Sequence, residues 1–187
     1  MWLPAADVTD ELLQAAASGH VAVVERLLQD KRADPVADDN FAIRQAVVGG
    51  HLAVVERLLQ DKRVDPAADK SDMFRRAAGK GHSAVIERLL QDKRVDPAAE
   101  DNRTIVVAAM EGHLSIVELL LQDERVDPAT MENRAIVLAA KNGHLAVVER
   151  LLQDKRVDPA DDKNSAICRA AENGHLAVVE RLARQAR

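Results

Sequence analysis

The chain has 187 residues, 47% apolar and 30% charged, a globular balance rather than a disordered one. Its net charge of −5 argues against general affinity for nucleic acid or an anionic membrane, because both are bound through excess Lys and Arg. Aromatic residues make up only 2%, Trp2, Phe41 and Phe74, so a core must be built from Leu, Val, Ile and Ala. The start, MWLPAADVTDELL, has neither the basic flank nor the apolar run of a signal peptide, and no later stretch could span a bilayer. A soluble protein is expected, cytoplasmic, or secreted into a host cell if a leader has been removed. Cys168 is the one cysteine, so no internal disulfide forms.

All six histidines, His20, His51, His82, His113, His144 and His175, follow a glycine and stand 31 residues apart. The six prolines, Pro4, Pro35, Pro66, Pro97, Pro128 and Pro159, keep the same step, and GHLAVVERLLQDKRVDPA at 50–67 returns unchanged at 143–160. A fixed period of this size marks a solenoid, in which each unit buries its apolar face only against its neighbours. The expectation is one elongated domain, 1–187, with repeats at 1–33, 34–64, 65–95, 96–126, 127–157 and 158–187.

In the first repeat Thr9 reads as the N-cap of a first helix, and Asn40, Ser71, Asn102, Asn133 and Asn164 take that place in turn. Each first helix should run about eight or nine residues to a glycine, which can adopt the left-handed conformation that ends helices. A second helix begins near each His; in the fifth repeat it carries Leu145, Val147, Val148, Leu151 and Leu152 at helical spacing. It stops before the polar Asp-Lys-Arg and the Asp-Pro step, since proline disfavours helix at the residue before it, and a loop of roughly ten residues returns to the next cap. Helices this short are marginal alone, so stacking must hold them, and pairs such as Ala108–Ala109 and Ala139–Ala140 let neighbours approach closely. In the sixth repeat Ala183 and Arg184 stand where other copies have Leu and Gln, as in a polar cap, while Trp2 and Leu3 are placed over the first layer. A monomer with both ends closed follows.

NRAIVLAAKNGHLAVVERLLQDKRVDPA, residues 133–160, resembles an ankyrin repeat, whose usual form has an Ala-Ala pair, Gly-His-Leu and a Val-Val helix ending in Leu-Leu. The resemblance covers essentially the whole chain, and repeats of this type are similar to the expanded ankyrin arrays of protists, amoebae and large DNA viruses. It implies an all-α helix-turn-helix solenoid of six repeats and a non-enzymatic protein-binding module working through the concave face of its first helices. The unit is two residues shorter than the family's usual length of about 33. The family's Thr-Pro-Leu-His is replaced by Phe41 to Arg44, Asp72 to Arg75, Arg103 to Val106, Arg134 to Val137 and Ser165 to Cys168. The shortfall lies in the projecting finger, so short inter-repeat loops with tight Asp-Pro turns are expected.

No metal, cofactor or catalytic site is expected. Zinc needs several ligands within about 2.0–2.3 Å of one point, whereas packed helices hold successive His residues about 8–10 Å apart. The resemblance gives the His a structural role in the turn between helices and layers. Arg26 with Asp30 and Arg57 with Asp61 have the i,i+4 spacing of solubilising helix pairs, and Cys168 has no nearby base to activate it.

The positions at which the copies differ carry the functional reading. Counting back from each His, the tenth, seventh and third residues are placed on one stripe, while the eighth and fifth stay apolar. In the ankyrin architecture that stripe would face a partner, giving Phe41, Arg44, Arg75, Arg76, Arg103, Val106, Met110, Arg134, Val137, Lys141 and Arg169 as contact residues. Val107 and Leu138 are assigned rather to the core. Acidic loop residues Asp38, Asp39, Asp69, Glu100, Asp101, Glu132, Asp161 and Asp162 set off this basic and apolar face, which suits an acidic and apolar segment of a protein partner. Two other readings remain open: an effector or adaptor bringing a host protein, such as a kinase or ubiquitin ligase component, to a second partner held near Leu119, and a structural or designed array with no partner.

Overall fold

The computed structural model describes residues 5–68 and 72–185, and among them twelve helices and no strand. They come in successive pairs: α1 (Ala5–Ala17) and α2 (Val21–Leu27), α3 (Ala37–Gly49) and α4 (Leu52–Leu58), α5 (Asp72–Gly79) and α6 (Ser83–Leu90), α7 (Ala99–Met110) and α8 (Leu114–Leu120), α9 (Thr130–Lys141) and α10 (Leu145–Leu151), α11 (Asp161–Glu172) and α12 (Leu176–Gln185). Where a finger would project, the chain turns at the Asp-Pro step. Asp34, Asp65, Asp127 and Asp158 each accept through Oδ1 the N–H of the residue two places on, at 2.9–3.2 Å, which closes the turn without a strand.

The chain forms two compact units, one of residues up to Ala77 with His82–Asp96, the other of Ala78–Gly81 with the residues from Pro97 on. In the first, α1 packs on α2 and α3, α3 on α4, and α2, α4 and α6 make a second row. In the second, α7, α9 and α11 lie side by side and α8, α10 and α12 form the row behind them. The core of the second unit is aliphatic. Ile105, Ala108, Ala109, Ile136, Ala139 and Ala140 of the front row are buried together with Ile116, Val117, Leu120, Val147, Val148 and Leu151 of the back row. Each large side chain so covered stabilises by about 1.5–3 kcal/mol, which is how helices of only two turns persist.

Each first helix ends as its glycine predicts. Gly143, at φ 77°, donates to the Ala140 carbonyl and His144 N–H to the Ala139 carbonyl, at 3.2 and 2.9 Å. The next His ring then lies against the preceding glycine. A Cβ on Gly112 would stand 2.6 Å from Nδ1 of His144, whose Nε2 donates to the Met110 carbonyl at 3.0 Å. In the first unit His51 bonds Ala17 and His82 bonds Val48 in the same way, at 3.1 and 3.2 Å. The glycine is therefore required twice, for its backbone and for the empty space above it.

The N-cap reading needs correction. Asp38–Asn40, Glu100–Asn102 and Met131–Asn133 all have φ between 50° and 61°, a single left-handed turn ahead of the right-handed helix. Asn40, Asn102 and Asn133 instead accept through Oδ1 the N–H of Asp65, Asp127 and Asp158, each 25 residues on in the next repeat, at 2.8–2.9 Å. Thr9 lies inside α1 rather than at its start, yet its Oγ1 accepts from Asp34 N–H at 3.1 Å in the same register. Ser71 lies outside the described residues, as do Trp2 and Leu3. Asn suits the position because it tolerates the left-handed region better than other side chains and has an oxygen to spare. Asn133→Ala is expected to cost about 1 kcal/mol more than Asn164→Ala in urea unfolding, because both residues are left-handed but only Asn133 holds a following repeat. Equal costs would mean that the inter-repeat bond contributes nothing.

Candidate interaction face

The exposed side of the first helices follows a different phase from the one read off the sequence. In α7 and α9, past the left-handed turn, the exposed or half-exposed residues are Arg103, Val107 and Met110, and Arg134, Leu138 and Lys141: the tenth, sixth and third before each His. These are spaced i, i+4 and i+7, a helical stripe as narrow as i, i+3 and i+7 but turned toward the other side of the shared residues. Val106 and Val137, expected as contact residues, are only 7% and 8% exposed and belong to the core. Val107 and Leu138, assigned to the core, are half-exposed. One residue is a 100° step on a helix, and Val-Val and Val-Leu pairs offer an apolar side chain on both sides of that step.

In the second unit α7 and α9 pack directly on each other, so the two stripes adjoin. Among the described residues, no carboxylate pairs with Arg103, Arg134 or Lys141, all exposed. Arg169 of α11 is also exposed but is engaged by Glu172 at 3.0 Å. In the first unit Phe41 is half-exposed, and Arg44 is half-buried, its guanidinium reaching the Asp39 carbonyl at 3.4 Å. On α5 Arg75 is ion-paired with Asp72, and the exposed Arg76 lies 3.8 Å from the same carboxylate. Half-burial of Arg44 and Arg75 follows from their sharing the seventh position with Val106 and Val137. Asp38, Asp39, Glu100, Asp101 and Glu132 are exposed at the loop ends, whereas Asp69 and the side chains of Asp161 and Asp162 lie outside the described residues.

The charges of the second helices are arranged differently from the i,i+4 reading. Arg26 lies 3.7 Å from Glu11, and Asp30 is bound by Arg32. The clasp recurs: Asp61, Asp92, Asp123 and Asp154 each accept the backbone N–H and the guanidinium of the Arg two residues on, with guanidinium contacts of 2.6–3.1 Å. The reason is that α2 ends at Leu27, so Asp30 and its counterparts lie past the helix, where i,i+4 geometry no longer holds. Arg94 and Arg156 also donate to the carbonyls of Val64 and Val126 in the preceding repeat, both at 2.9 Å. The Arg hydrogen bonds hold each Asp below the usual carboxylate range, Asp30 at about 2, against the opposing effect of desolvation. A carboxyl with a depressed folded pKa stabilises above its unfolded value of about 3.9 and loses that contribution as pH falls through the folded value. Urea midpoints should therefore be flat near neutrality and fall below about pH 4. Changing Asp61, Asp92, Asp123 and Asp154 to Asn should flatten that acid limb.

Cys168 is exposed on α11, and no group of three or more His, Cys, Asp or Glu side chains comes together among the described residues. No described helix is long and apolar enough to cross a membrane.

A family model for ankyrin repeats in three copies matches residues 45–131 and again 105–187, and a model of the single ankyrin repeat matches 12–40. A comparison with curated proteins returns no match. The matched segments span nearly the whole length of this all-helical, repeat-paired structure, and the chain belongs to the ankyrin repeat family.

Proposed function

We propose that the chain binds a partner protein through the exposed stripes of α7 and α9, with Val107, Met110 and Leu138 as apolar anchors and Arg103, Arg134 and Lys141 as the charged surround. Ankyrin repeats are generic protein–protein interaction modules, and proteins of the family are typically non-enzymatic. The observation that carries the reading is a row of cations without acidic partners among the described residues, flanking half-exposed apolar side chains on two adjoining helices, at positions that differ between otherwise near-identical copies. Met and Arg are enriched at interfaces, and a charge row of one sign selects its partner through encounter rate and specificity. The segment it fits is acidic with apolar side chains. Phe41, Gln45 and Arg76 hold the corresponding stripe of the first unit.

The test is capture from native lysate with the wild type beside the triple variant Arg103→Glu, Arg134→Glu, Lys141→Glu, which circular dichroism must first show to be folded. The partner found with the wild type should bind the variant at least about tenfold more weakly, with the wild-type affinity falling as salt rises. Equal binding would move the contact away from this face, and a wild type that captures nothing would favour a structural array.

A further inference from the structure

Two rows of the exposed face change character together, and only in the fourth and fifth repeats. At the tenth place before the His the other copies carry Asp10, Phe41, Asp72 and Ser165, whereas these two carry Arg103 and Arg134. At the sixth place the others carry Gln14, Gln45, Arg76 and Arg169, whereas these two carry Val107 and Leu138. The paired cations and the paired apolar side chains thus fall on the same two helices, α7 and α9, which pack on each other. Arg103 and Arg134 are exposed, and Val107 and Leu138 are half-exposed beside the buried Val106 and Val137.

The spacing of these rows limits the shape of what can lie across them. Equivalent residues of two helices packed side by side stand about 8–10 Å apart, so a ligand crossing from α7 to α9 has to repeat a side chain on one face at that interval. A β-strand repeats a face every second residue, at about 6.6 Å, and its third residue points away. An α-helix returns after seven residues, at about 10.5 Å, but is about 10–12 Å wide. Polyproline II has three residues per turn and rises about 3.1 Å per residue, so residues three apart share a face at about 9.3 Å. Width decides between the last two. The exposed Glu100, Asp101 and Glu132 stand at the loop ends just ahead of the Arg row, and a broad acidic helix would spread its carboxylates toward them, whereas a single extended chain stays clear.

We propose that the fourth and fifth repeats read a polyproline II segment of the partner, with two apolar residues three positions apart and an Asp or Glu beside each. This rests on α7 and α9 being the binding face. The apolar pair lies against Val107 and Leu138, and the carboxylates pair with Arg103 and Arg134. Each guanidinium has five N–H donors, enough to hold a carboxylate and also a carbonyl that polyproline II leaves without an internal partner. Proline at the remaining place of each triplet sets the backbone beforehand and lowers the entropy lost on binding. Because the sixth place is polar in every other repeat, the motif has two apolar residues and not three.

The test is selection of binders to the full chain from a displayed library of random dodecapeptides, followed by fluorescence anisotropy of the enriched peptides. They are titrated with the wild type, with the double variant Arg103→Glu, Arg134→Glu, and with Leu138→Gln, which places there the residue type of Gln45 in the second repeat. All three positions are exposed or half-exposed, and circular dichroism melts check that the variants fold. The enriched peptides should share two apolar residues three apart, each beside an Asp or Glu and with proline admitted between them, and both variants should bind them about tenfold or more weakly. No enrichment, or peptides whose apolar residues recur at every second or every seventh place, overturns the proposal. If such peptides are still lost with the double variant, α7 and α9 remain a binding face for a partner of another shape. Peptides held equally by the wild type and the double variant place the contact elsewhere and overturn both the motif and the face.

Discussion

Gly112→Ala is expected to destabilise the chain by about 2–4 kcal/mol, against about 1 kcal/mol for Gly174→Ala. Both glycines are left-handed, at φ 79° and 76°, so both variants bear the cost of placing a Cβ-bearing residue there. They differ in what lies above. At Gly112 the new Cβ would meet Nδ1, Cε1 and Cγ of His144 at 2.6–2.9 Å, so the ring must move and its bond to Met110 is lost. At Gly174 nothing lies within 4 Å. Urea unfolding of the two variants separates the backbone cost, common to both, from the cost of displacing the ring. Equal losses would show that the His–carbonyl bond does not hold the repeats together.

Ile136→Ala is expected to cost about 2–5 kcal/mol, and Ile167→Ala roughly half as much or less. The two isoleucines are the same letter of successive repeats. Ile136 sits on α9, with α7 on one side and α11 on the other, and has no exposed surface, so truncation leaves a cavity that two neighbouring helices would have to collapse to fill. Ile167 sits on α11, already half in water, and its removal gives up only part of the transfer energy and little cavity. Calorimetric or urea melts of both variants check this. A large loss at Ile167 would mean that this side chain is covered in solution.

What the sequence disclosed and what it hid can be separated at particular residues. The 31-residue period, the glycine stops before each His and the aliphatic second helices were legible because each rests on a local rule: backbone freedom, helical spacing and the break at Asp-Pro. The left-handed turn at 38–40 and 131–133 was not, since no glycine marks it and a run such as Asp-Asp-Asn reads equally well as loop and cap. The role of Asn133 depends on an N–H in the next repeat, a long-range partner that no local rule supplies. The stripe was misplaced by one residue because Val106 and Val107 are alike in type. Only packing against the neighbouring helices distinguishes the buried valine from the half-exposed one. The Asp30 partner was misread because the helix stops three residues earlier, so a rule valid inside a helix was applied beyond its end.

The inter-repeat bonds of the Asn, Arg and His side chains join residues only 25, 30 and 34 apart in a chain of 187. Closing a loop costs entropy only as the logarithm of its length, and a fold whose contacts stay this near in sequence forms quickly. During synthesis at about 5–20 residues per second, each repeat meets its successor about 2–6 s after leaving the ribosome. The nascent chain thus shows the cell no more than one unstacked apolar layer at a time, and its hold on solubility while unfinished comes from the order in which it is made.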